Sequence, residues 1–84
     1  MTNPIIMQIK IELAKTKKEF KELQIKLTRL LYELQTRINP YFGENPAEIK
    51  AEEIKQIADE LLDCRNNAVE LNEKIAALNK DLGE

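Results

Sequence analysis

Cys64 is the one thiol in the chain, and histidine, serine and tryptophan are absent. That excludes an internal disulfide, a cysteine–histidine zinc site and a serine–histidine triad. A reactive cysteine needs an electropositive, accessible setting. Cys64 has only Arg65 as a neighbouring cation and falls at an apolar helical spacing, so a buried, inert thiol is the expectation. The acidic run Glu48, Glu52, Glu53, Asp59, Glu60 and Asp63 could suggest metal ligands. Di-metal sites in helical bundles combine Glu with Glu-x-x-His, and the missing histidine leaves this run as a solvated face. Lys15, Lys17, Lys18 and Lys21 form a basic cluster. Asp63 and Glu70 are expected near it across the fold, so it also reads as a solvated face before it reads as a phosphate-binding strip. No glycine-rich phosphate loop is present. These residues point to no catalytic, metal or cofactor site and to no small-molecule substrate.

One further local feature could act by contact. Pro40-Tyr41-Phe42-Gly43-Glu44 places two adjacent aromatics between the two halves of the chain. Tyr41 and Phe42 either close the end of a helical assembly or serve as a binding knob, since aromatics are favoured anchors. End-closure is the favoured reading.

The elements that carry these residues are legible from proline and asparagine. Asn-Pro occurs at Asn3-Pro4, Asn39-Pro40 and Asn45-Pro46. Asparagine caps a helix N-terminus by accepting from a free backbone N–H, and proline suits the first helical position. The first and third pairs read as helix starts, with Glu48 placed to complete a capping box at the third. The second reads as a stop, because the residue before proline is pushed out of helical dihedrals. This predicts a helix over about 4–38, a connector over about 39–45 and a helix over about 46–82, in one domain.

The apolar spacing agrees. From Ile6, alternating steps of three and four reach Ile9, Leu13, Thr16, Phe20, Leu23, Leu27, Leu30, Leu34 and Arg37. The same walk in the second half runs Ala47, Lys50, Ile54, Ile57, Leu61, Cys64, Ala68, Leu71, Ile75, Leu78 and Leu82. A period of about 3.5 residues held this long is a coiled-coil seam, with alternate members at heptad positions a and d. Taking Leu30 opposite Ile54 sets an antiparallel register in which Phe20 meets Cys64, Thr16 meets Ala68 and Leu13 meets Leu71. Glu12 then flanks Lys74, Lys26 flanks Glu60, Glu33 flanks Glu53 and Lys17 flanks Arg65. Residues 1–39 carry a net charge of +4 and residues 40–84 a net charge of −6. Unlike halves attract, which favours pairing the first helix with the second. The fold class is all-α: an antiparallel two-helix coiled-coil hairpin.

The hairpin is too thin to bury what it carries. At 84 residues with 43% apolar content, about half of the apolar side chains lie off the seam. Leu31, Ile38, Ala51, Ala58, Leu62, Val69 and Ala76 form a second stripe at positions e and b, beside the seam on one side, with Met7 and Ala14 on the same side. A second stripe is what a helix needs when it has two neighbours, as in a four-helix bundle. Self-association as a homodimer is the favoured reading; a groove for another helical protein is the second and a lone hairpin the third. Ile11, Ile25 and Tyr32 at position f are read as scattered exposed residues.

Net charge of −2 gives the whole molecule no electrostatic case for nucleic acid, and no apolar run approaches a membrane span. The N-terminal stretch lacks a basic segment ahead of its short apolar run, so a cytoplasmic protein is expected. The functional expectation is a non-catalytic scaffold, adaptor or small chaperone. The alternative is a nucleic-acid-associated module using the basic strip of the first helix.

Overall fold

The computed structural model describes residues 3–39 and 45–83. Two long helices, α1 (Pro4–Ile38) and α2 (Ala51–Asp81), run antiparallel and pack along their length, with a one-turn 3₁₀ helix, Pro46–Glu48, between them. The result is a rod of about 68 × 17 × 15 Å. Among the described residues no helix is long and apolar enough to cross a membrane.

α1 starts where its cap dictates. The Asn3 side-chain oxygen accepts from the Ile5 N–H at 2.9 Å, and Pro4 fills the first position at no cost in hydrogen bonds. It ends at Ile38, with Asn39 as its cap; Asn39 keeps helical dihedrals at φ −53°, ψ −43° and its N–H donates to the Gln35 carbonyl, so the expected push of the pre-proline residue out of the helical region does not occur. α2 ends on a left-handed glycine: Gly83 has φ of +79° and its N–H donates to the Lys80 carbonyl at 2.9 Å.

The start of α2 differs from expectation. Asn45 does cap, accepting from the Ala47 N–H at 3.0 Å. The turn it opens is 3₁₀ and stops at Glu48, and Ile49 returns to extended backbone at φ −66°, ψ 134°. α2 then begins at Ala51, with Lys50 in the cap position making no side-chain cap bond. Packing explains the delay. Ala47 and Lys50 occupy the seam positions here, and residues 45–50 are all exposed. Continuing an α-helix through them would order backbone without burying an apolar face, and tertiary burial supplies most helical stability in proteins. Glu52 and Glu53 in the first turn complement the positive helix end instead.

This late start moves the register. The Cys64 thiol donates to the Leu23 carbonyl at 3.6 Å, about one turn beyond the Phe20 layer. Glu53 pairs with Arg37 at 3.6 Å, one turn beyond Glu33, which pairs within α1 to Arg29 at 3.7 Å. The expected clash of Glu33 with Glu53 is thereby avoided, and Lys26 and Glu60 form no ion pair among the described residues. Glu12–Lys74 does form, at 2.6 Å.

The seam itself is as the spacing predicts. The buried residues are Leu13, Thr16, Leu30, Ile57 and Cys64, every one a member of the a/d walk. Leu30, Ile57 and Cys64 cluster with Leu23, Leu34 and Leu61 around them. Thr16 is fully buried, and its hydroxyl is satisfied within α1 by donating to the Glu12 carbonyl at 2.7 Å.

Candidate association surface

The two sides of the rod beside the seam differ in chemistry. On one side lie the g and c positions of both helices. Glu12 and Lys74 bridge the helices there; the hydrogen bond from Lys74, then its charge, holds the Glu12 carboxyl below its ordinary value. Hydrogen bonding to Glu12 raises Lys74 in return, against a partial desolvation penalty. Farther along, Glu19, Glu22, Lys26, Asn67 and Glu70 rim an open groove of about 420 Å³ over Leu23 and Leu71. Glu70 therefore stands with Glu22 and Lys26. This side is charged, mixed in sign and internally paired, which suits it to water.

On the other side lie positions e and b. All seven stripe residues, Leu31, Ile38, Ala51, Ala58, Leu62, Val69 and Ala76, are exposed in the hairpin. Leu31, Leu62 and Val69 each leave about half of their surface in water, at 49%, 50% and 47%. Midway along this side, Phe20, Leu23, Leu27, Cys64 and Ala68 line a hollow of about 280 Å³, edged by Gln24 and Arg65. The hollow is nearly all apolar, and Leu27 and Phe20 are left incompletely covered above the buried Cys64. It is the place where a two-helix seam fails to close over its own core.

Along the two helices the charges on this side are of one sign. Lys10, Lys17 and Lys21 on α1 and Lys55 and Arg65 on α2 occupy e and b positions, and within the two helices no acidic residue does; Glu48, at a b position, lies in the 3₁₀ turn before α2. Lys15 and Lys18 of the linear lysine cluster stand at c and f, off the stripe. The connector aromatics Tyr41 and Phe42 lie outside the described residues.

The area exposed is large for the mass. A compact monomer of 9.7 kDa exposes about 5,100 Å² by the size scaling of globular proteins. The hairpin exposes 6793 Å², an excess of about 1,700 Å² over that scaling. Among the described residues no three Asp, Glu, Cys or His side chains gather into a group that could hold a metal ion. No family model, curated protein or solved structure matches the chain.

Proposed function

We propose that the chain is a non-catalytic, self-associating hairpin that works in the cytoplasm as a scaffold, adaptor or small chaperone, and that its e/b side packs on a second copy to form a four-helix bundle. The excess of exposed area carries this reading. Burying about 1,700 Å² on each of two copies gives about 3,400 Å² in total, within the range of obligate homodimer interfaces. The stripe and the apolar hollow lie on one side of the rod, and covering apolar surface there would stabilise association.

A sedimentation-equilibrium series on the full chain tests the proposal, with the wild type expected at twice 9.7 kDa. The double variant Leu62→Ala, Val69→Ala is expected to shift to the monomer mass; a dimer of unchanged affinity places the interface elsewhere. The alternative, nucleic-acid binding by the basic strip, draws support from Lys10, Lys17 and Lys21 sharing one side of α1. Electrophoretic mobility of DNA and RNA at low salt separates the two, since a retarded complex that dissolves with added salt belongs to the alternative.

A further inference from the structure

Two rods that share one side can close by a two-fold axis in two ways with their helices aligned. An axis parallel to the helices puts both connectors at the same end and sets α1 of one copy against α2 of the other. An axis crossing the helices within the interface puts the connectors at opposite ends and sets α1 against α1. We infer that the dimer takes the first arrangement, an inference that rests on self-association through the e/b side.

The distribution of side chains along the stripe decides it. On α1 the e/b residues on the connector half include the large apolar Leu31 and Ile38 beside the uncharged Thr28 and Gln35, whereas Lys10 and Lys17 stand toward the open end with Met7 and Ala14, and Lys21 stands at the middle. A rotation about an axis parallel to the helices preserves height along the rod, so the register within one hairpin carries over to contacts between copies. The Arg37–Glu53 pair fixes that register near the connector. Ile38 therefore stands level with Ala51 of the second copy, and Leu31 level with its Ala58. Large side chains meet small ones and apolar meets apolar.

The crossed axis does the opposite. Lys21 is the midpoint of α1 (Pro4–Ile38), so that axis would bring Lys21 beside the second copy's Lys21. It would also lay Leu31 and Ile38 over the lysine-bearing end, covering apolar surface with groups that must reach for water.

Electron-spin distance measurement on the full chain tests this, with Cys64→Ala as background and labels at Thr36→Cys or Gln8→Cys, both at outward c positions. At about 1.5 Å per residue, Thr36 stands about 22 Å from the midpoint of α1. Connectors together predicts a Thr36–Thr36 distance near 30 Å, set by bundle width and label length, and a mixed Thr36–Gln8 distance beyond about 42 Å. The reverse pattern, Thr36–Thr36 beyond about 45 Å with a short mixed distance, overturns the orientation while leaving the dimer intact. A monomer mass with no dipolar coupling refutes self-association itself, and the orientation with it. Amine cross-linking of unsubstituted chain, mixed from light and heavy isotope preparations, gives the same answer without cysteine changes. An inter-copy Lys55–Lys55 link supports the inference, and an inter-copy Lys10–Lys55 link overturns it.

Discussion

Replacing Leu62 by alanine is expected to weaken the dimer without weakening the hairpin. Leu62 lies at position b of α2 and is 50% exposed in one copy, so about half of its burial remains to be gained on association. Leucine carries three more carbons than alanine, worth about 2.4 kcal/mol at about 0.8 kcal/mol each when fully buried. Half of that is about 1.2 kcal/mol per copy. Two-fold symmetry doubles it to about 2.4 kcal/mol per dimer, or roughly a 50-fold rise in the dissociation constant. Alanine is the better helix former, so α2 is not penalised. It is also a cleaner probe than glutamate, which Arg65 could partly neutralise from the adjacent turn. Sedimentation equilibrium over a concentration series reads the constant directly. Ile25→Ala is the control: Ile25 is 72% exposed at position f, and its variant is expected to match the wild type. A Leu62→Ala dissociation constant within threefold of the wild type would refute the reasoning, as would an equal effect from Ile25→Ala.

Other expectations follow from the seam and its flank. Leu30→Ala removes a side chain with no exposed surface and is expected to cost about 3 kcal/mol in urea unfolding at fixed protein concentration; a cost below about 1 kcal/mol would mean the seam is not packed as described. Cys64, only 3% exposed, is expected to react with a disulfide reagent roughly 100-fold slower in the native protein than in urea, because reaction waits on opening. The Glu12–Lys74 pair predicts a pH dependence with two edges. Glu12 is held below its ordinary 4.5, so its contribution is present above that value and fades as pH falls through the folded pKa. Lys74 is held above its ordinary 10.5, so its contribution is present below that value and fades as pH rises through the folded pKa. Glu12→Gln is therefore expected to be less stable than wild type near neutrality, with the difference closing in acid. Equal stability at pH 7, or a Glu12 carboxyl titrating at its ordinary value by carbon NMR, would contradict the pairing.

The seam was legible because a 3.5-residue period maps onto one helix face whatever the register. Leu13, Thr16, Leu30, Ile57 and Cys64 are buried because they stand on that face. The register was not legible, because it depends on where α2 starts. Asn45-Pro46 is a sound local cap and does open a turn, yet the helix that packs begins at Ala51 with no side-chain cap. Tertiary burial outweighed the local signal. The trace of this in the sequence was Ala47 and Lys50, the small and charged members of the seam beside the connector. The Glu12–Lys74 bridge survived the shift because lysine is long enough to span it. The single-sign charge of the e/b side was also present in the sequence, but it shows only when the lysines are sorted by heptad position, where Lys17 and Lys21 part from Lys15 and Lys18.

The central claim is that one hairpin is half of a bundle, and the mass of the native chain in solution tests it most directly. Sedimentation equilibrium over micromolar concentrations, read beside the helical circular dichroism, is expected to give twice 9.7 kDa, with helicity lost on dilution through the dissociation range. A fully helical, cooperatively unfolding monomer of 9.7 kDa at every concentration would contradict it.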